Sequence, residues 1–195
     1  MDTNVLNVMT KEREAYLACF AKGLAEHREI SPQAVAELLI EINTQKIPLP
    51  YRYIRPDIIY KIAEESKIIE VNKNRHFSFD PYVFTTPSGI PATLHPFHWN
   101  GIEFRLFGDI VSWEPYDDWI RTWLDLEDLR SREGKDFQCV IHNATEPKRA
   151  GGFWELSIDM GSAELDALSD LFSVFAELGF GTIEIGSFSL IPPGH

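Results

Sequence analysis

The stretch that decides the fold is residues 153–188, FWELSIDMGSAELDALSDLFSVFAELGFGTIEIGSF. Phe153–Met160 alternates apolar and polar side chains, which is typical of a half-buried strand. Apolar residues then recur every three or four positions, so a helix is expected over Ser162–Leu178, with its first residue as N-cap. Gly179 suits the end of that helix, and Thr182–Phe188 is expected to return as a strand.

One more strand extends this pattern to a β-β-α-β unit. Phe137–His142 is largely apolar and is followed by a polar loop, Ala144–Gly152, that leads into the strand beginning at Phe153. If the strands on either side of the helix are parallel, the crossover between them is expected to be right-handed.

The amino-terminal third has the spacing of helices. Apolar residues at three- and four-residue steps predict an amphipathic helix over about Asn4 to Arg28. Ser31-Pro32 supplies an N-cap and a first-turn proline for a second helix, and a third is expected to begin at Pro56. The expected apolar faces of the second and third helices are Val35, Leu38, Leu39 and Ile42, and Ile58, Ile59, Ile62 and Ala63.

Shorter elements follow from Ile68, where the apolar period changes to two. Asn100-Gly101 favours a type I′ turn, which predicts a two-residue hairpin between Leu94–Trp99 and Ile102–Phe107. A helix is expected from about Pro115 to Arg130, preceded by the acidic Glu114.

These elements predict an α+β fold. An N-terminal helical segment, 1–67, packs on a mainly antiparallel sheet within an α+β segment, 68–195, which ends in the β-β-α-β unit. No flexible linker separates the two segments, so we expect residues 1–195 to form a single packed unit.

Negative charge is concentrated in one part of the chain. The formal net charge is −12, and residues 113–195 contribute −10 of it, whereas 1–67 and 68–112 contribute −1 each. Such an excess disfavours a nucleic acid or an anionic membrane as a partner and is compatible with a basic protein.

The cysteine content and the amino terminus suggest a reducing compartment. Cys19 and Cys139 are too few and too far apart for a disulfide framework. The first residues, Met1-Asp2-Thr3-Asn4, lack the basic and apolar regions of an export signal. Pro81–Ile102 has no charged side chain, but its four prolines exclude a membrane helix. We therefore expect a cytoplasmic protein.

An acidic surface with aromatic residues is expected in the C-terminal half. Carboxylates follow one side of the helix that begins at Pro115, and others lie on the outward faces of the last two strands. Acidic and aromatic side chains together suit the docking of a basic protein. The candidate partner-binding residues are Trp113, Glu114, Asp117, Asp118, Asp125, Asp128, Glu155, Asp159 and Glu184.

A catalytic interpretation of some of these carboxylates is the alternative. Glu155, Asp159 and Glu184, together with His142, have the chemistry to bind Mg²⁺ or to form an acid–base pair. The chain contains no Gly-x-Ser-x-Gly, Walker A or His-Glu-x-x-His motif that would support a hydrolase.

Four other residues have simpler interpretations. His95 and His98 fall on opposite faces of the predicted hairpin, so they are not expected to share a metal ion, and His98 is expected to pair with Glu103. Glu127 falls within the apolar arc of its predicted helix, so it must find a donor, shift its pKa or lie beyond the helix end. Cys139 is expected to be a small core residue rather than a nucleophile.

The sequence therefore favours a non-catalytic, acidic, cytoplasmic protein that binds another protein. Within that class we favour an immunity-type inhibitor that covers the active site of a basic toxin or nuclease domain. No catalytic residue, metal ligand or cofactor is assigned, and no nucleic acid or membrane partner is expected. A monomer or homodimer is expected, and a small metal-dependent hydrolase using the C-terminal carboxylates remains the alternative.

Overall fold

The computed structural model describes residues 2–42, 46–63, 65–71, 77–130 and 136–188, and over these ranges the fold is α+β. No helix within them combines the length and the apolar character needed to cross a membrane. The helices are α1 (Thr3–Ile30), α2 (Glu114–Trp123) and α3 (Leu165–Glu177). The strands are β1 (Val35–Ala36), β2 (Ile40–Glu41), β3 (Tyr53–Ile54), β4 (Ile58–Ile62), β5 (Glu65–Ile69), β6 (Tyr82–Thr85), β7 (Pro91–Leu94), β8 (Ile102–Phe107), β9 (Asn143–Ala144), β10 (Lys148–Ala150), β11 (Phe153–Asp159) and β12 (Thr182–Gly186).

Helix α1 confirms the first predicted helix. The side chain of Asp2 caps it by accepting a hydrogen bond from the N–H of Asn4 at 2.8 Å. At the other end the N–H of Ser31 donates to the carbonyl of His27, so Ser31 closes α1 instead of beginning a second helix. The buried face of α1 consists of Val5, Met9, Glu12, Tyr16, Phe20 and Leu24.

The predicted second and third helices are wrong, because residues 35–69 form short strands. β4 pairs antiparallel with β1 and β5 in a three-stranded sheet, and β2 pairs with β3. Most large apolar residues in β1, β4 and β5 are β-branched, and such side chains favour a strand wherever tertiary packing allows. Positive φ angles at Glu37 (56°) and Ala63 (52°) also turn the chain after β1 and β4, where a helix would need negative φ.

The main sheet is mainly antiparallel, as predicted. Its order is β10-β11-β8-β12-β7-β6, with β9 also paired to β11, and only the pairing of β12 with β7 is parallel. β11 and β12 are both antiparallel to β8, which lies between them, so they are parallel to each other. Helix α3 makes the connection between them, as the predicted β-β-α-β unit requires.

The predicted hairpin is wrong although its turn exists. The N–H of Gly101 donates to the carbonyl of His98 at 3.1 Å, but β12 then separates β7 from β8 in the sheet. Glu103 consequently lies opposite Ser157 and Gly186 instead of His98. The Asn-Gly pair favours a conformation of only the four residues in the turn. Burial of apolar surface favours β12 in the centre of the sheet, between β7 and β8, and this effect is larger.

Positive φ angles also occur in two other predicted elements, of which one is shorter than expected and one is not formed. Helix α2 ends at Trp123 rather than near Arg130, because Asp125 and Asp128 adopt φ angles of 53° and 54°. The predicted strand Phe137–His142 is not formed, and Cys139 within it has a φ of 60°.

The start of α3 also differs from the prediction. The helix begins at Leu165 with Glu164 as its N-cap residue. The hydroxyl of Ser162, which was expected to cap it, accepts a hydrogen bond from the N–H of Cys139 at 2.9 Å instead.

The main sheet has one buried face and one partly exposed face. The inward residues of β8, β11 and β12 have at most 2% of their surface exposed, and the ring of Phe104 contacts that of Phe175 on α3. Helix α1 packs instead on the three-stranded sheet β1-β4-β5, where the ring of His27 contacts the ring of Tyr60 on β4, with 4.9 Å between the ring centres. The buried inward residues of the three strands are Ile102, Phe104, Leu106, Leu156, Ile158, Ile183 and Ile185.

Candidate functional site

A buried histidine lies between two carboxylates where α1, the three-stranded sheet β1-β4-β5 and the main sheet meet. His142 is 2% exposed. Its Nε2 is 2.8 Å from Oε1 of Glu37, and its Nδ1 is 2.8 Å from Oδ1 of Asp57 and 4.0 Å from Oδ1 of Asp159. One imidazole thus contacts acidic groups from three separate parts of the chain.

Further hydrogen bonds hold these carboxylates in place. Asp57 accepts from the hydroxyl of Tyr16 on α1 and from the N–H of Val71. The N–H of Gln138 donates to Oε2 of Glu37 at 2.6 Å. Asp57 and Glu37 therefore each accept hydrogen bonds from groups other than the imidazole, as buried polar side chains require.

These contacts change the pKa values of the cluster. Burial lowers the pKa of His142, but the adjoining Asp57 and Glu37 carboxylates outweigh burial and raise it to about 10. Burial raises the pKa of Asp159 to about 7, with the His142 cation acting in the opposite direction. Burial and the nearby Asp159 and Asp57 charges raise the pKa of Tyr16. Near neutral pH, His142 is therefore an imidazolium that balances negative charge inside the protein.

A buried arginine continues the network toward α2. Arg55 is 1% exposed, and its guanidinium donates to the carbonyls of Glu37, Leu124 and Asp125 at 2.7–2.8 Å. Nη2 also lies 2.9 Å from Oδ1 of Asp128 and 3.7 Å from Oδ2 of Asp125. We call the residues joined in this way the buried network: Tyr16, Glu37, Arg55, Asp57, Asp125, Asp128, His142 and Asp159.

Left-handed backbone is concentrated at this network. Among the described residues other than glycine, five have positive φ, and three of them, Glu37, Asp125 and Asp128, bond to Arg55 directly. A fourth, Cys139, follows Gln138, whose side chain accepts from Arg55 at 2.7 Å. Such conformations cost about 1–2 kcal/mol each and persist only where surrounding contacts hold them. The buried network supplies those contacts.

The centre of the network has no direct contact with solvent. Tyr16, Glu37, Arg55, Asp57 and His142 each have at most 2% of their surface exposed. Within the described part of the chain, no group of three or more His, Cys, Asp and Glu side chains is arranged to hold a metal ion. These charged groups therefore contact one another within the fold.

A different set of carboxylates lines a groove between α2 and α3. This groove has a volume of about 480 Å³, and its lining includes Trp119, Trp123 and Val174. All four of its carboxylates are exposed, and none makes an ion pair or a side-chain hydrogen bond with another described residue. We call it the acidic groove; its carboxylates are Glu114 and Asp118 on α2 and Asp170 and Glu177 on α3.

The chain beyond α2 forms a second hollow of about 420 Å³, which shares Thr122 with the acidic groove. Its lining includes two arginines, Arg121 and Arg130, besides Asp125 and Glu127. The guanidinium of Arg130 lies 4.5 Å from the ring centre of Trp123. Charge of both signs is therefore present here, whereas the acidic groove has no lining Lys or Arg.

The partly exposed face of the main sheet also carries both signs of charge. In register across the strands, Lys148 lies opposite Glu155, Glu155 opposite Arg105, and Arg105 opposite Glu184. Nη1 of Arg105 is 3.6 Å from Oε2 of Glu184, and its guanidinium lies 3.9 Å from the ring centre of Phe188. These carboxylates are thus balanced by neighbouring cations.

The nine predicted partner-binding residues occupy several different environments. Only Glu114 and Asp118 line the acidic groove. Asp117 accepts a hydrogen bond from the hydroxyl of Tyr51 at 2.5 Å, and Trp113 is half-buried against the rings of Tyr116, Trp154 and Phe180. Asp125, Asp128 and Asp159 belong to the buried network, and Glu155 and Glu184 to the sheet face.

The carboxylates of the hydrolase hypothesis are likewise divided. Asp159 contacts His142, whereas Glu155 and Glu184 flank Arg105. Glu127 lies beyond the end of α2 and is exposed, which is one of the three outcomes expected for it. Cys139 is partly exposed, and its Sγ lies 3.8 Å from Oε1 of Glu164.

Sequence reasoning missed the centre of the buried network and the α3 half of the acidic groove. The sequence does contain a signal for the network. Glu37, Arg55 and Asp57 are charged residues within segments whose apolar composition predicts burial, and charged residues are rarely buried unless they are paired. Asp170 and Glu177 carry no such signal, since they are ordinary polar positions of an amphipathic helix.

Comparisons with protein-family models, with curated proteins and with solved structures gave no match to this chain. Its function is therefore argued from its own residues.

Proposed function

We propose that this chain is a non-catalytic binding protein whose acidic groove takes up basic side chains of another protein. The observation that carries the proposal is a groove lined by four exposed carboxylates, with no Lys or Arg among the described residues that line it. Elsewhere on the described surface, Glu184 and Asp128 lie beside arginine.

Both components of the groove contribute to this assignment. A single exposed ion pair adds only about 0–1 kcal/mol, so charge alone would give weak binding. Trp119 and Trp123 also line the groove, but they are only 4% and 9% exposed, so they add a small aromatic contact to it. The carboxylates favour partners of positive charge over partners of negative charge, and they speed association with a basic partner.

Within this class we favour an immunity-type inhibitor of a basic toxin or nuclease domain. Surfaces that bind a phosphate backbone are rich in Lys and Arg, and a carboxylate-lined groove complements them. Both cysteines are free, which is compatible with a reducing cytoplasm as the place of action.

The proposal is tested by capturing partners from a lysate of the source cells with the wild-type chain and with two charge variants. The groove variant carries Glu114→Gln, Asp118→Asn, Asp170→Asn and Glu177→Gln. The control variant removes the same number of charges elsewhere, by Glu14→Gln, Glu29→Gln, Asp80→Asn and Glu146→Gln, all at exposed positions.

The expected partner is a basic protein whose affinity falls steeply as salt increases. It should bind the wild-type chain and the control variant equally and should be lost from the groove variant. Equal loss in both variants, salt-insensitive binding, or no basic partner at low salt would each contradict the proposal.

A further inference from the structure

A further hollow lies on the partly exposed face of the main sheet and shares no lining residue with the acidic groove. Its volume is about 400 Å³, which is within the range of sites for small molecules. Arg105 of β8 and Glu155 of β11 both line it. The other polar residues of the lining are Glu103, Thr145, Glu146, Lys148 and Ser157.

The guanidinium of Arg105 is held at this hollow without a hydrogen bond. Only 32% of the side chain is exposed, and its Cζ lies 3.9 Å from the ring centre of Phe188 and 5.3 Å from that of Phe153. Nη1 is 3.6 Å from Oε2 of Glu184, which is too far for a hydrogen bond. Among the residues that the structure describes, none accepts a hydrogen bond from this guanidinium. Contacts with rings use the faces of a guanidinium and leave the N–H groups in its plane available.

Glu155 places an unpaired negative charge beside this arginine. In register across the strands it lies opposite both Arg105 and Lys148, and neighbouring strands are about 4.8 Å apart. It nevertheless forms no ion pair or side-chain hydrogen bond with any described residue. A guanidinium and a carboxylate thus lie side by side at the hollow, and each has hydrogen-bonding capacity that the fold does not use.

The charges of the lining argue against a ligand of one sign. The lining has three carboxylates and two cations, so a simple anion would meet excess negative charge, whereas a simple cation would leave Arg105 without an acceptor. A molecule with both a carboxylate and an ammonium group matches both neighbours. Its carboxylate would accept two parallel N–H bonds from the guanidinium, and its ammonium group would donate to Glu155.

The distances favour a small molecule of this kind. In an α-amino acid one carbon atom joins the two charged groups. With hydrogen bonds of about 2.8 Å at each end, such a molecule reaches side chains on two neighbouring strands.

From this arrangement we propose that the hollow binds a free α-amino acid, with the carboxylate on Arg105 and the ammonium group on Glu155. The site is separate from the acidic groove, so the inference does not rest on the proposed function.

Titration of the full chain with each of the standard amino acids in turn tests the proposal, with binding followed in two-dimensional ¹⁵N–¹H NMR spectra. At least one amino acid is expected to bind with a Kd below about 1 mM. It should shift the amide signals of Arg105, Glu155 and Ser157, and leave those of Asp118 and Asp170 in the acidic groove unchanged. Shifts confined to residues outside the hollow, or no binding of any amino acid at about 20 mM, would overturn the proposal.

Three variants then locate the site of the amino acid that binds best. Arg105→Met and Glu155→Gln should each weaken binding at least about tenfold, because each removes one charged hydrogen-bonding partner. The control is Arg149→Met, which removes an arginine that also lies 5.3 Å from a ring centre, that of Trp154, but does not line the hollow. It should bind as the wild type does.

Unfolding in urea establishes that each variant is folded, and Glu155→Gln decides the question if Arg105→Met does not fold. Wild-type affinity in the folded variants of the hollow would contradict the proposal, as would an equal loss in the control.

Two analogues of the same amino acid separate its charges. The N-acetyl derivative keeps the carboxylate and lacks the ammonium group, and the methyl ester keeps the ammonium group and lacks the carboxylate. Each is expected to bind at least about tenfold more weakly than the parent. If the N-acetyl derivative binds as tightly as the parent, the hollow accepts any carboxylate and the amino-acid assignment is wrong. If the ester does so, Arg105 is not the partner of the carboxylate, and the assignment is equally wrong.

Discussion

The buried network and the acidic groove use the same residue types in opposite ways. In the network, Glu37 and Asp57 lie 2.8 Å from one imidazole, and Asp128 lies 2.9 Å from a guanidinium. In the groove, Asp118 and Asp170 are exposed and form no ion pair with any residue that the structure describes. A carboxylate with a cation beside it stabilises the fold, whereas one left without a cation on the surface is free to act on another molecule.

The largest expected effect comes from removing the buried cation. Arg55→Met keeps most of the side-chain volume but leaves Asp125 without its cation, and Asp128 and three carbonyl oxygens without their donor. Breaking a buried pair in this way costs about 3–5 kcal/mol, so urea unfolding should show a loss of that size.

The matched control is Arg149→Met, which removes an exposed ion pair with Asp109. Its expected cost is under about 1 kcal/mol. Equal losses in the two variants would show that the buried network has no special structural role.

A second effect follows from the close packing around His142. A Cβ added at Gly161 would lie 2.2 Å from Cδ2 of that ring, and the φ of Gly161 is 49°. Gly161→Ala is therefore expected to lower the free energy of unfolding by about 2–3 kcal/mol.

Gly151→Ala is the control for this variant, because it introduces backbone strain without a steric clash. Gly151 also has a positive φ, 61°, but has nothing within 4 Å of its added Cβ. Its cost should be about 1 kcal/mol, and if Gly161→Ala cost no more than this, the tight packing at His142 would be refuted.

The pH dependence of stability is expected to be unusual. His142 has its pKa raised to about 10 in the folded chain, so its contribution is complete below pH 6.5 and is lost as the pH rises through 10. Asp159, with its pKa raised from 3.8 to about 7, binds more protons when folded, so its ionisation removes stability between those values. The free energy of unfolding should thus fall as the pH rises from about 4 to 10.

Asp159→Asn isolates the lower part of this pH range. The variant should flatten the decline between pH 4 and 7 and leave the decline above pH 7, as measured by urea unfolding at a series of pH values. A wild-type stability that rises across pH 4–7 would contradict the assignment.

The smallest effect on stability is expected at the acidic groove. Because its four carboxylates have no cation to lose, the groove variant should change the free energy of unfolding by less than about 1 kcal/mol. A loss comparable to that of Arg55→Met would erase the distinction between the two regions.

Local sequence patterns were sufficient for α1 and for the β11-α3-β12 part of the C-terminal unit. The alternation in β11 and the helical period of α3 each report a buried face that a nearby segment covers. The segment 35–69 lacked such a signal, since Ile58, Ile59 and Ile62 fit the apolar face of a helix as well as they fit β4.

The site was harder to predict because its contacts join distant residues. Glu37 and His142 are 105 positions apart, and Arg55 and Asp125 are 70 apart. No periodicity encodes such pairs. The acidic residues of α2 and of the segment that follows it were identified as candidates from their charge, but their division between Tyr51, Arg55 and the groove depends on tertiary packing.

The central position of β12 has a consequence for the order in which the sheet is completed. β7 and β8 are made early, yet the strand that joins them, Thr182–Gly186, is synthesised only after residues 108–181. Until then both strands have an unpaired edge, and such edges invite pairing with other chains. The nascent chain is therefore most prone to aggregation in the interval before β12 emerges, and its folding rate is limited by closure of this long loop.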